Sequence, residues 1–340
     1  MKKYAFILLV IVMMFTLSKI SWANLEVAKF DGRMIPMGSN PLSGVPEYHW
    51  YYGCSPTSGG MLIGYWDSHP SGKWSNLVEG DISTYNDIAK NMIASPEHIR
   101  DYWGTPDFNP GGHTDNCIAD FMHTSRSGEG LGDGATWSSM IPKGLKDFAE
   151  WDNPDTSTNE AYYADSWRDM VKYFNGPFSW SSFKSEIDAG RPMLLDVVEW
   201  HGGMNWYGHS VVGYGYQDDM FNIKIAYGPG SSDWKNVTVG GFAIWDTWDT
   251  TGSQSSWLDW DWNLISSYTD ENGVEWWPFL DMTLTNGYSY NDESWDWQVV
   301  EGVYFHPGNP IPEPASLVLL GSLASGLFGI AGARRRFGRR

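Results

Sequence analysis

The sequence predicts an α+β fold, on three observations. Helical periodicity dominates up to about residue 190, and β-branched and aromatic runs bounded by Gly or Asp dominate afterwards. No internal repeat of solenoid or propeller length interrupts this order. About 290 residues lie between two segments with targeting character, enough for one large core of a chain in which 42% of residues are hydrophobic and 16% aromatic.

Asn24 to Pro46 is punctuated by Gly and Pro and reads as an irregular arm leading into the fold. In the helix after Cys54, Met61, Leu62, Tyr65 and Trp66 share one face and Pro56 suits the first turn. Gly59 and Gly60 each cost about 1 kcal/mol relative to Ala in a helix interior. They predict a buried helix with another backbone close by. Further helices are predicted over Ser83–Ile93, Ser138–Trp151, Glu160–Phe174 and Trp180–Ala189, the last closed by Gly190. Strands are predicted over Met193–Glu199, His209–Tyr216, Phe221–Tyr227 and Phe242–Trp248. Strands and loops from Trp257 to Pro307 complete the sheet, and nothing in this stretch marks a second domain.

The ends of the chain set its compartment. Lys2 and Lys3 precede an uncharged run from Tyr4 to Ser18, and Ser21-Trp22-Ala23 places small residues where a signal peptidase cuts, giving a signal peptide over 1–23. Ala315 to Ala333 holds 19 residues without a charge, enough for a transmembrane helix over 315–333, and five arginines follow it. Pro312-Glu313-Pro314, the apolar span and the arginine cluster together resemble the PEP-CTERM sorting signal. That resemblance implies an exosortase as processing partner, passage through the inner membrane with transient anchoring there, a cell-surface or extracellular destination, and an exopolysaccharide setting. The expected division is therefore 1–23 signal peptide, 24–307 globular domain and 308–340 sorting signal.

The full chain has a net charge of −19, and the signal and tail carry 8 of its 22 basic residues. Residues 24–333 thus hold 14 basic against 41 acidic residues, a net −27 that excludes nucleic acid and anionic lipid as partners.

Chemistry is expected at Cys54. A thiol attacks a carbonyl as the thiolate, and a helix N-terminus lowers a cysteine's pKa. His209, opening a strand, supplies a base on a rigid element, and Asp246 on the next strand supplies an acceptor to orient it. Tyr52-Gly53-Cys54-Ser55-Pro56-Thr57-Ser58, Gly208-His209-Ser210-Val211-Val212-Gly213-Tyr214 and Asp246-Thr247-Trp248 resemble the papain-like cysteine peptidases, nearest their double-glycine (bacteriocin-leader) peptidase-like branch. The likeness spans about residues 46 to 250 and includes Glu186 to Pro192 as a helix-to-strand junction. It implies a papain-like fold, with an N-terminal helical part, including the nucleophile helix, packed on an antiparallel sheet or barrel carrying His and Asp. It also implies hydrolysis of peptide or protein substrates without a cofactor: Cys54 as nucleophile, His209 as base then acid, Asp246 as its support.

One departure stands out. The family's oxyanion-binding Gln is missing, because no Gln lies between Asn24 and Cys54. His49 and Tyr48 are the available donors, and an inactive homologue acting as a matrix or exopolysaccharide-associated binding protein is the alternative. Acyl transfer to an amine uses the same three residues.

The second cysteine, Cys117, offers a disulfide to Cys54 in an exported chain. A metal set of His113, Asp115, Cys117 and His123 matches no zinc spacing, and no metal is assigned. Asp259, Asp261, Asn263 and Asp270 fall at calcium-loop positions, but Leu264 stands where the loop's sharp turn wants Gly. The Trp-rich run around them reads as core or as sugar-stacking surface.

Overall fold

A computed structural model describes residues 25–28, 41–151, 161–200, 206–227, 234–248, 268–270, 272–280 and 297–310. The signal segment, the apolar span 315–333 and the run from Trp257 to Asn263 lie outside these residues. None of the described helices is long and apolar enough to cross a membrane.

After one short strand, helices dominate the first part of the chain, as predicted: α1 Cys54–Asp67, α2 Asp87–Ile93, α3 Pro96–Tyr102, α4 Ile118–Phe121, α5 Met140–Glu150 and, later, α6 Trp180–Asp188. The strands are β1 Leu25–Ala28, β2 Tyr162–Met170, β3 Met193–Trp200, β4 Trp206–Tyr227, β5 Trp234–Trp245, β6 Tyr268–Thr269, β7 Glu275–Pro278 and β8 Gln298–Pro310. They form one sheet in the order β2-β8-β3-β4-β5-β7-β6, with β1 added along β4. Every strand pair in it is antiparallel.

Because strand side chains alternate, the sheet feeds two cores. Leu194, Val212, Ala243 and Val303 pack with α1, α2, α4 and α5 on one face. Leu195, Val211, Phe242 and Ile244 pack with Phe183 and Ile187 of α6 on the other. Glu186 fastens α6, with both Glu186 oxygens taken by Arg191 at 2.7 Å and one of them also by His306 of β8 at 2.8 Å. Burial opposes ionisation there, but the Arg191 and His306 hydrogen bonds win and hold the carboxyl near a pKa of about 2.

Four expectations need correction. The predicted helix over Glu160–Phe174 is instead the edge strand β2 followed by a single 3-10 turn, Lys172–Phe174. Tyr162 and Ala164 point inward and Tyr163 outward, a period of two, and the free edge of β8 offers cross-strand partners such as Tyr304, stacked on Trp167 at 4.5 Å. The leading arm is not wholly irregular, since it contributes β1. At Gly59 and Gly60 the close neighbours are side chains, not backbone: an added methyl would meet Met122 Cε at 2.8 Å and Ile93 Cγ1 at 2.7 Å. Finally, the sheet does not end at Pro307, since β8 runs on to Pro310.

Candidate active site

α1 is buried on every side, with all its residues after Cys54 buried. Its start is shaped by two residues in the left-handed backbone region, Tyr52 at φ +54° and Gly53 at φ +151°. A methyl on Gly53 would also lie 2.8 Å from Pro56 Cγ. Only glycine fits both constraints, and it sets the turn that presents Cys54. We expect Gly53→Ala to destabilise the fold by about 1–3 kcal/mol and to slow Cys54 alkylation, as read by denaturant unfolding and mass-spectrometric labelling. Thr57 Oγ1 bridges the same turn, donating to Gly53 O at 2.6 Å and accepting from Tyr51 N at 3.0 Å.

The sheet brings the distant partners to this helix end. Ser58 Oγ donates to Ser210 O at 2.8 Å, and the Ser55 and Ser210 hydroxyls lie 2.9 Å apart, tying α1 to the strand that carries His209. Trp50 N donates to Thr247 O at 2.7 Å, tying the approach to Cys54 to the loop that carries Asp246. His209 Nε2 lies 2.7 Å from Asp246 Oδ1, which also accepts from Trp248 N at 2.9 Å. The Trp248 ring stacks on the imidazole at 3.7 Å and shields the pair from water. Nδ1, buried without another partner among the described residues, is the nitrogen left to face the thiol with which His209 interacts.

Charge at the site is consistent with a thiolate facing an imidazolium. Burial alone would raise the Cys54 pKa; the His209 hydrogen bond and charge, the Ser210 backbone and the Ser55 hydroxyl outweigh it and bring it below the ordinary thiol value. Burial likewise disfavours charged His209, but the Asp246 carboxylate and Cys54 lift it to about 9. A cleft of about 920 Å³ opens beside Cys54, Ser55, His209 and Ser210, with Trp50 and Trp248 among its walls.

Other expected residues are placed elsewhere. Tyr48 is fully buried and its hydroxyl is given to Ile82 O, while His49 sits edge-on against Tyr85 at 5.4 Å. Neither lines the cleft. Both sit beside the loop around Ile82 and Tyr85. The two cysteines are free. Cys117 is completely buried and donates to Asp120 Oδ2 at 3.1 Å, and burial followed by the Asp120 charge pushes its pKa well above the ordinary value.

The four residues weighed as a metal set are split. His113 bridges Asp101 and Asp120, Asp115 pairs with Arg126, and His123 pairs with Glu129. His98, Cys117 and Asp120 do converge. Their contacts are hydrogen bonds onto one carboxylate, with His98 Nδ1 at 2.6 Å and Asn116 N at 3.1 Å adding to the Cys117 and His113 donors. Asp270 is a turn former, accepting from Asn272 N and Val274 N; the other calcium-loop positions lie outside the described residues.

Sequence reasoning missed Asp196 and Glu301, two buried acids on the cleft floor. A charge inside the apolar run Met193-Leu194-Leu195-Asp196-Val197-Val198 is the signal that points to the first of them.

Comparison with known proteins matches residues 41–256 to the model of the Peptidase_C39 like family. Among solved structures, the active wild-type interpain A cysteine protease of Prevotella intermedia is similar, at 13% identity over 55% of this chain and 74% of that one, with a TM-score of 0.28. No curated protein matches. The helical half packed on an antiparallel sheet, together with the family match, is an α+β papain-like fold.

Proposed function

Since the chain belongs to the Peptidase_C39 like family, we propose that it is a cysteine peptidase that hydrolyses peptide bonds with Cys54, His209 and Asp246. The observation that carries this reading is the thiol at the start of α1, paired with an imidazole that is itself held by Asp246, with the thiol and the imidazole lining an open cleft. The Cys54 thiolate attacks the peptide carbonyl carbon. The oxyanion is met by the Cys54 N–H, which by helix geometry has no intrahelical acceptor. His209 gives its proton to the leaving amine, leaving a thioacyl enzyme, and then takes a proton from the water that attacks the thioester. Acyl transfer differs only in replacing that water with an amine.

The second reading is a binding protein of the extracellular matrix that keeps the fold without turnover. The position of Tyr48 favours it, because its hydroxyl is given to Ile82 O. The discriminating experiment incubates the full chain with casein and identifies new peptide termini by mass spectrometry, with and without prior alkylation of Cys54. Cleavage that alkylation abolishes supports the peptidase. Intact casein beside a chain whose Cys54 alkylates readily leaves the binding protein.

Asp246→Asn keeps an acceptor oxygen for His209 but removes its charge. The alkaline limb of activity should move down from about pH 9 toward the ordinary imidazole range, near 6.5, because the charge that raises the His209 pKa is gone. A pH–rate profile of both proteins checks this.

Export, transient anchoring through 315–333 and exosortase processing complete the proposal. Their support is the ordered terminal motifs of the sequence.

A further inference from the structure

Two carboxyl groups on the cleft floor have no part in the steps above. Asp196 on β3 and Glu301 on β8 stand directly opposite in the strand register, at 7% and 1% exposure. Asp196 Oδ1 accepts the Ser210 hydroxyl at 2.5 Å, and Glu301 Oε2 accepts from Arg168 at 2.6 Å. The remaining oxygens, Asp196 Oδ2 and Glu301 Oε1, are buried without another donor among the described residues and are left to each other. Like charges in register across a buried ladder repel. Burial first and then the Glu301 charge push the Asp196 carboxyl well up, so Asp196 is the acid that keeps its proton.

Arg168 meets the Glu301 charge, and among the described residues no cation is paired with Asp196. Arg168 is engaged by Glu301 and by Ser138 Oγ at 2.8 Å. The cleft lining adds a third carboxylate, Asp133, and among the described residues contains no Lys or Arg. Its mouth carries aromatic rings, with Trp137 52%, Tyr173 46% and Phe174 41% exposed. An acidic floor below aromatic walls suits an aliphatic stem that ends in a cation.

We propose that this cleft selects a cationic side chain, the ammonium of lysine or the guanidinium of arginine, from the peptide lying across Cys54, with Asp196 and Glu301 as the specificity-determining acids. This rests on the peptidase reading and adds a substrate class to it. The cation takes over the neutralising role of the Asp196 proton, which leaves to solvent. A neutral side chain leaves the acids as they were, and an acidic one is repelled.

The test measures alkylation of Cys54 by iodoacetamides with a butylammonium, a butyl or a butyrate arm, located by peptide mapping, in the full chain and in Glu301→Gln and Asp196→Asn. In parallel, internally quenched peptides with Lys, Arg, Leu or Glu at each position are assayed for cleavage. The ratio of cationic to neutral rates within each protein is the readout, so a general loss of activity does not mimic the effect. We expect a ratio of roughly tenfold in the unaltered chain and about twofold or less in each variant. A preference unchanged in both variants and screened away by salt belongs to the acidic surface as a whole and overturns the proposal. Cleavage without preference for Lys or Arg overturns it while sparing the peptidase reading. A cationic preference in alkylation with no peptide cleaved at all overturns the peptidase reading and leaves the selectivity of the cleft standing.

Discussion

Cys54→Ala should abolish peptide hydrolysis, a loss on the order of 10⁴-fold or more, with little change in stability. The size of the loss follows from the chemistry: without the sulfur there is no thioacyl intermediate, and the imidazole and helix-start amides have no nucleophile to assist. The small cost to the fold follows from the position. Cys54 is the first residue of α1 and only partly buried, alanine is the best helix former, and the hydroxyls of Ser55 and Ser58 still tie the helix to Ser210. Cleavage assays alongside denaturant unfolding check both halves. Equal cleavage by Cys54→Ala and the unaltered chain would move the chemistry elsewhere, and Cys117 is the remaining thiol. Complete burial and a raised pKa make Cys117 a poor nucleophile.

The largest effect on stability is expected at Asp120. Its carboxylate, fully buried, accepts from His98, His113, Cys117 and Asn116 N, and so joins α3, α4 and the segment between them. Asp120→Ala removes the acceptor and strands four donors in the interior, which should cost about 3–5 kcal/mol. Burial opposes the charge of Asp120, but His98 and the other donors hold its pKa at about 2. A depressed carboxyl pKa stabilises the fold above the unfolded-state value of about 4, and that contribution is lost as pH falls through about 2. His113 runs the other way. Burial lowers its pKa, but Asp101 and Asp120 raise it further, so its contribution is complete below about pH 6.5 and fades at higher pH. Denaturant midpoints across pH for Asp120→Ala and the unaltered chain test this. If the mutant unfolds at the same denaturant concentration, the cluster does not stabilise the fold.

Much of this was legible in the sequence where local pattern decides the outcome. The strands around Leu194, Val211 and Ile244 announce themselves by β-branched runs, and the start of α1 by Gly53, Cys54 and Pro56. Pattern fails where the partner decides. Tyr162 to Met170 contains residues that a helix accepts, and only the edge of β8 makes it a strand. The orientations of Tyr48 and His49 depend on Ile82 and Tyr85, more than thirty residues away. Asp196 is visible as a charge in an apolar strand. That it faces Glu301 follows from the antiparallel register of β3 and β8, which no local window contains.

The account turns on a thiolate at Cys54 sustained by His209. The most direct measurement is the rate of Cys54 alkylation against pH, resolved from Cys117 by peptide mapping, in the unaltered chain and in His209→Ala. The predicted result is fast labelling that persists below pH 7 in the unaltered chain, with a rate at neutral pH about thirtyfold lower in His209→Ala, where burial prevails and the thiol is mostly protonated. Identical profiles in the two proteins, both rising only above the ordinary thiol pKa, would contradict it.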